Sequence, residues 1–212
     1  MKSTELFQKI NIPNLKIIQE EALDFFEKNT HLIRHDPNED YFVHVPFDEF
    51  PTLKKFLENR SKLEINETSV YFVPPHSKSK IHIDGLRKDN GKIPEGMMMA
   101  HQYVLIVPIA NYNQTTNYWY DNTDVTDDDE WIRNHIRKQF PYNFYVSFVK
   151  DEVKLESIGH TKIDAPTFIK SNIYHQVDNE GNDTRMVFVI RFKELEYYES
   201  LDYVIEYRDL VD

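Results

Sequence analysis

The sequence predicts a mainly β protein with an antiparallel sandwich or jelly-roll core. Between residues 68 and 192, about eight short segments rich in β-branched and aromatic residues are separated by polar, turn-forming connections. Phe (14) and Tyr (13) are abundant and Gly (5) is scarce, which suits a β-rich core and leaves little room for glycine-rich phosphate-binding loops. The strands do not alternate with helical segments, so a parallel βαβ sheet is not expected.

Residues 1–67 are predicted to form an N-terminal helical support for this core. The segment 15–29, LKIIQEEALDFFEKN, has its apolar residues at roughly helical spacing. The segment 48–60, DEFPTLKKFLENR, has Pro51 near its start and apolar residues behind it. Both segments are therefore predicted to be amphipathic helices that pack against the sheet.

One further helix is predicted as an insertion in the β core, at about residues 126–140. Thr126 is suited to cap its start, Asp129 stands at the capping-box position, basic residues fill the last turn and Pro141 follows. The acidic run at its start could also suggest a calcium loop, but the alternating ligand spacing and the central glycine of such a loop are missing. A helix start is therefore favoured.

The whole chain, residues 1–212, is predicted to be a single domain, with the β core at 68–192 and a C-terminal extension at 193–212. Its 212 residues, 40% of them hydrophobic, suffice for one ordinary core. The net charge of −11 makes nucleic acid an unlikely partner. There is no cysteine, so any metal must be held by imidazole and carboxylate. No signal-like or membrane-spanning apolar run is visible, which favours a cytoplasmic protein without a membrane partner.

The closing stretch, residues 172–192, is predicted to form two antiparallel strands joined by a turn. Both halves are rich in β-branched and aromatic residues, and the sequence DNEGND between them is dense in turn formers. His175 lies in the first strand and Arg185 opens the second. A rigid strand pair would hold an imidazole and a guanidinium in fixed relative positions, as a metal ligand and a carboxylate-binding group both require.

A His-x-Asp sequence, His82-Ile83-Asp84, lies on an earlier predicted strand. Because side chains alternate along a strand, His82 and Asp84 point to the same face and can reach one point in space. The pair alone is a weak signal, but together with His175 it makes two imidazoles and one carboxylate, the facial set that suits non-haem Fe(II). The same residues are also compatible with a histidine satisfied within the core and an arginine paired with a nearby acid.

The HID sequence at 82–84, followed by His175 and then by Arg185 with the strand MVFVIRF, resembles the Fe(II)/2-oxoglutarate-dependent oxygenases, which have a double-stranded β-helix (jelly-roll) core. The resemblance covers roughly residues 68–192. The closing run HQVDNEGNDTRMVFVIRF is similar to the end of the aspartyl/asparaginyl β-hydroxylase-like branch and of related phage and bacterial proteins. The resemblance implies Fe(II) on His82, Asp84 and His175, with Arg185 on the distal carboxylate of 2-oxoglutarate and no catalytic side chain beyond the metal centre.

Two further residues are expected near the cosubstrate. Family members tend to offer a hydroxyl from the strand before the His-x-Asp, which here is Tyr71, and Gln102 begins a neighbouring strand. Arg191 lies on the same strand face as Arg185 and is the alternative carboxylate-binding arginine.

The resemblance implies a dioxygenase that uses 2-oxoglutarate and O₂ to hydroxylate a C–H bond of an unidentified peptide side chain or small polar molecule. The alternative is a jelly roll that has lost its metal and serves as a non-catalytic binding or assembly module.

Overall fold

The computed structural model describes residues 6–33, 39–60, 65–84, 103–121, 125–126, 130–135 and 144–192. Two α-helices, α1 (Leu15–Lys28) and α2 (Pro51–Arg60), confirm the two helices predicted near the N-terminus. Two 3₁₀ turns lie at Thr30–Leu32 and Phe47–Glu49. No helix in the described part of the chain is both long and apolar enough to cross a membrane.

The described residues contain thirteen strands, most of them short. In chain order they are β1 (Phe7–Lys9), β2 (Tyr41–His44), β3 (Ile65–Val73), β4 (Ser77–Lys78), β5 (His82–Asp84), β6 (Tyr103–Ala110), β7 (Thr115–Tyr120), β8 (Glu130–His135), β9 (Phe144–Val149), β10 (Ser157–Thr161), β11 (Thr167–Lys170), β12 (His175–Asn179) and β13 (Arg185–Phe192).

The strands form two sheets whose described pairings are antiparallel. The first sheet has the order β1-β11-β6-β13-β3-β2, and the second has the order β10-β7-β12-β5-β9-β8 with β4 also paired to β12. Both edge strands of the first sheet, β1 and β2, come from the N-terminal region that was predicted to be helical support. This region therefore supplies strands as well as helices.

Two of the buried hydrophobic clusters lie on either side of the first sheet. Val187 and Val189 of β13 belong to a buried cluster with Trp119 of the second sheet, so one face of the first sheet packs against the second sheet. Phe188 and Ile190, the alternate residues, belong to a cluster with residues of α1 and α2. Because both faces of the first sheet are covered, β13 is apolar almost throughout. Its side chains point alternately to the two faces, and every second one lines the space between the sheets.

The two helices pack on the first sheet and are hydrogen-bonded to each other. Ile18, Ala22 and Phe26 are the buried residues of α1 and recur every four positions, which places them on one helix face. The carboxylate of Glu21 accepts hydrogen bonds from the backbone N–H of Thr52 (3.2 Å) and from its hydroxyl (2.6 Å). A side chain of α1 thus satisfies a free N–H in the first turn of α2.

The inserted helix predicted at about 126–140 is wrong over the residues that the structure describes. Glu130–His135 is strand β8 and pairs with β9 along its whole length, from Glu130 opposite Val149 to His135 opposite Phe144. Capping signals contribute only about 1 kcal/mol each, and a short helix is marginal without packing, so pairing with a neighbouring strand overrides them. Residues 127–129 and 136–140 lie outside the described residues, as does the predicted C-terminal extension at 193–212.

The closing stretch forms the two predicted strands, but they do not pair with each other. β12 lies in the second sheet and β13 in the first, so the connection between them crosses from one sheet to the other. Asn179, fully buried, supports this crossing. Its Nδ2 lies within hydrogen-bond distance of the carbonyls of Val73 (3.0 Å), Pro74 (2.9 Å) and Asp183 (3.0 Å), and its Oδ1 accepts from the N–H of Gly181 (3.1 Å).

Candidate metal centre

Strand pairing brings together the three residues predicted as metal ligands. β5 is hydrogen-bonded to β12 with His82 directly opposite His175, and Asp84 lies two residues further on the same face of β5. One potential ligand atom from each of the three residues lies within 4.8 Å of the others. The imidazole centroids of His82 and His175 are 4.4 Å apart, and Nε2 of His82 is 3.9 Å from Oδ1 of Asp84. The predicted cluster therefore exists as a compact group.

The backbone fixes the orientation of both imidazoles in the same way. Nδ1 of His82 is 2.7 Å from the carbonyl of Lys80, and Nδ1 of His175 is 2.8 Å from the carbonyl of Ile173. A carbonyl only accepts, so each Nδ1 carries the proton and donates it. Each Nε2 is then left with its lone pair available, which is the state of a histidine ligand to a metal.

The surroundings of His175 keep its imidazole neutral. Burial, followed by the nearby His82, lowers the pKa of His175 to about 4 from its usual 6.5, while the charge of Asp84 acts in the opposite direction. A neutral imidazole binds a metal without first losing a proton at neutral pH. Asp84 is also buried, at 6% exposure, whereas His82 is only partly buried. The cluster therefore offers two nitrogen donors and one carboxylate, with His82 on its more exposed side.

The cluster borders a small cavity between the two sheets. The cavity has a volume of about 40 Å³ and is lined by the three cluster residues together with Tyr71, Arg185 and Arg191 of the first sheet. Such a volume holds about three water molecules. The cavity therefore has room for an ion and a few small ligands beside the cluster.

Arg185 is a buried cation that forms no ion pair with the residues that the structure describes. It opens β13 opposite Val73, is 1% exposed, and its Nε and Nη1 have no hydrogen-bond partner in the described part of the chain. Burial lowers its pKa to about 10, while Tyr71 acts in the opposite direction. Burying an unpaired charge is costly, so this guanidinium is the group that an anion in the cavity would satisfy.

Arg191, the alternative carboxylate-binding residue, has partners within the protein. Its Nη1 is 3.3 Å from Oε1 of Glu67, and its Nη2 is 3.6 Å from Oδ2 of Asp84. The guanidinium also lies over the ring of Phe42, 5.8 Å from the centroid. The two arginines of β13 thus border one cavity in different states of pairing.

Tyr71 also borders this cavity, and its hydroxyl donates a hydrogen bond to Asp40. Its ring stacks on Phe42 with centroids 4.3 Å apart. Burial and then Asp40 raise the pKa of Tyr71 well above its usual value, so the phenol stays protonated. The other residue predicted near the cosubstrate, Gln102, lies outside the described residues.

Two carboxylates at this site were not predicted from the sequence, Glu67 and Asp40. Glu67 is four residues before Tyr71 on β3 and directly opposite Arg191 of β13. The alternation of strand faces, counted back from Tyr71, would have placed Glu67 on the cavity side. Asp40 precedes a short edge strand that the sequence did not predict, so no sequence signal pointed to it.

No protein-family model and no curated protein sequence matches this chain. The fold, in contrast, has solved counterparts. The chain is similar to SnoK, a non-heme alpha ketoglutarate dependent carbocyclase from nogalamycin biosynthesis, with a TM-score of 0.51 and 10% identity over 89% of this chain and 80% of that one. At this identity the likeness concerns the fold alone, and it confirms the predicted jelly-roll core.

Two further solved structures are similar at slightly lower TM-scores. A Pseudomonas putida prolyl-4-hydroxylase matches with a TM-score of 0.48 and 10% identity, covering 90% of this chain and 93% of that one. HygX from Streptomyces hygroscopicus, solved with nickel and 2-oxoglutarate bound, matches with a TM-score of 0.49 and 10% identity, covering 89% of this chain and 82% of that one. The fold and the site described above define the class as a jelly roll with a His-Asp-His cluster between its sheets.

Proposed function

We propose that this chain is an Fe(II)- and 2-oxoglutarate-dependent dioxygenase. The observation that carries the proposal is the presence of two features in one cavity. These are the His82–Asp84–His175 cluster on the second sheet and, on the first, the guanidinium of Arg185, whose Nε and Nη1 have no partner among the described residues. A facial set of two imidazoles and one carboxylate suits Fe(II) and leaves coordination positions open. A buried, unpaired arginine suits a carboxylate.

The chain's own residues would divide the work of binding. His82, Asp84 and His175 would hold the metal, with the Lys80 and Ile173 carbonyls keeping both Nε2 atoms available. Arg185 would hold the distal carboxylate of 2-oxoglutarate, and the sheets would keep bulk water out. Bound together with O₂, Fe(II) and 2-oxoglutarate supply the oxidising power that hydroxylates a C–H bond. 2-Oxoglutarate would bind in the cavity that the three cluster residues and Arg185 line.

The remaining predicted contacts belong to the same proposal. The hydroxyl of Tyr71 donates to Asp40 but keeps its oxygen as an acceptor, and its position in the cavity wall supports a role beside the cosubstrate. Gln102 remains a prediction. The similarity of the closing run to the aspartyl/asparaginyl β-hydroxylase-like branch supports an Asp or Asn side chain in a peptide, or a small polar molecule, as substrate.

The test is succinate release from 2-oxoglutarate with added Fe(II), in the wild type and in two histidine variants. His175→Ala removes a cluster ligand, whereas His160→Ala removes an exposed histidine that lies beside Tyr118 on the β10–β7 pair. We expect succinate from the wild type and from His160→Ala, and none above background from His175→Ala. If the wild type and His175→Ala are equally inactive and bind iron equally poorly, the enzyme proposal fails and a non-catalytic binding module remains.

A further inference from the structure

Three buried charged groups form a row that begins on the first sheet and ends at Asp84 of the His82–Asp84–His175 cluster. Glu67 of β3 and Arg191 of β13 are directly opposite in strand register, and Arg191 reaches across to Asp84 of the second sheet. Their exposures are 7%, 3% and 6%. The three groups are thus negative, positive and negative in turn, and they lie where most water is excluded. Each charge is therefore stabilised by its oppositely charged neighbour.

The two oxygens of Asp84 meet different surroundings. Oδ1 is 3.9 Å from Nε2 of His82, on the side of the cluster. Oδ2 is 3.6 Å from Nη2 of Arg191, on the side of the first sheet. A guanidinium is a planar, fixed group, so its attraction for Oδ2 opposes rotation of the carboxylate.

The negative charge of Glu67 offsets the unfavourable effect that the positive charge of Arg191 would have on a bound metal ion. A lone guanidinium next to Asp84 would repel a divalent cation and draw on the same carboxylate charge that the cation needs. The Glu67 carboxylate, 3.3 Å from Arg191, balances that positive charge. The pair can therefore orient Asp84 without adding net charge beside the metal.

We propose that Glu67 and Arg191 are a positioning pair that holds Asp84 with Oδ1 turned toward the metal and Oδ2 turned away. This inference rests on the proposed function, because it assigns roles around the same metal. Neither residue ligates the metal. In this proposal Glu67 acts on the site through Arg191, and Arg191 acts through Asp84.

The central test compares metal affinity in the wild type, Glu67→Gln and the double variant Glu67→Met/Arg191→Met. Glu67→Gln keeps the size and an acceptor oxygen while removing the charge. The double variant removes both charges at once and leaves no lone charge from this pair, so it keeps the test interpretable if the single variant folds poorly. We expect the Mn(II) affinity of each to fall at least about tenfold, because partners of metal ligands typically contribute that much.

A spectroscopic measurement separates positioning from simple support of the fold. With Co(II) in place of Fe(II), the visible absorption bands report ligand geometry directly. We expect the bands to shift in Glu67→Gln and in the double variant. They should shift less in Arg191→Lys, which keeps the cation but loses the planar guanidinium. His160→Ala serves as the matched control with an unchanged spectrum.

The outcomes separate this inference from the proposed function. If the wild type binds Mn(II) and releases succinate while both Glu67 variants match its metal affinity and Co(II) spectrum, the positioning pair is overturned and the function stands. If the wild type itself binds no divalent metal, the proposed function and this inference are overturned together. A weakened affinity with a shifted spectrum supports the positioning pair.

Discussion

The two buried arginines of β13 show how one strand can serve two purposes. Arg185 and Arg191 lie on the same face, six residues apart, with exposures of 1% and 3%. Arg191 has two carboxylates within 4 Å, whereas Nε and Nη1 of Arg185 have no hydrogen-bond partner in the described part of the chain. The difference arises opposite them on β3, where Arg191 faces Glu67 and Arg185 faces Val73. One cation is neutralised by the protein, and the other remains available to a ligand.

The largest expected effect follows from removing the paired arginine. Arg191→Met leaves Glu67 and Asp84 buried without this cation, and breaking a buried ion pair typically costs about 3–5 kcal/mol of unfolding free energy. Urea unfolding in metal-free buffer, followed by circular dichroism, measures the loss. Arg185→Met is the matched control on the same strand. Among the described residues no carboxylate pairs with Arg185, so the unfolding free energy of Arg185→Met should equal that of the wild type or exceed it. Equal losses in both variants would contradict the comparison.

The unpaired arginine should instead control ligand affinity. N-oxalylglycine, an unreactive analogue of 2-oxoglutarate, should bind Arg185→Met about 100-fold more weakly at saturating Mn(II), a loss of about 2.7 kcal/mol. Isothermal titration calorimetry measures this affinity. Arg185→Lys should lose less, because it keeps the charge and loses only the two-pronged contact. Loss of affinity in Arg191→Lys with none in Arg185→Met would reverse the assignment of the two residues.

A metal ion should stabilise the protein through the cluster without help from Arg185. At a Mn(II) concentration about 100 times its dissociation constant, the unfolding free energy should rise by about 2.7 kcal/mol, because the ion binds the folded chain. A thermal shift assay measures this as a higher midpoint. Asp84→Asn and His82→Ala should abolish the rise, while Arg185→Met should retain it. A rise that persists in Asp84→Asn would mean that the metal binds elsewhere.

The sequence was most informative where a local rule suffices. The alternation of side chains along a strand predicts that His82 and Asp84 share a face, and the structure agrees. The same rule predicts that Arg185 and Arg191 share a face but leaves open which of them is free. That depends on which residue of β3 lies opposite each one, and register between distant strands is set by the packing of the whole sheet.

Two predictions made from the sequence are wrong for the same physical reason. The predicted helix at 126–140 rested on capping signals, and pairing between β8 and β9 overrode them over Glu130–His135. The predicted strand pair at 172–192 rested on a turn, and the chain instead crosses between sheets at that turn. In both cases the sequence reveals local preference, while the choice of partner strand depends on contacts distant in sequence. The second error matters for the site, because the crossing sets His175 and Arg185 on opposite walls of one cavity.

The smallest expected effect concerns the neutral residue that supports this crossing. Asn179 is as buried as the arginines, and its amide is satisfied within the chain by contacts to Val73, Pro74, Gly181 and Asp183. Asn179→Ala should lower the unfolding free energy by about 1–3 kcal/mol, because it leaves buried backbone groups without their partner. Urea unfolding measures the loss. The affinity for Mn(II) should change less than the affinity for N-oxalylglycine. The turn positions Arg185 on β13, whereas the His82–Asp84–His175 cluster is held by the pairing of β5 with β12. An equal loss of both affinities would mean that the crossing positions the metal-binding cluster as well as Arg185.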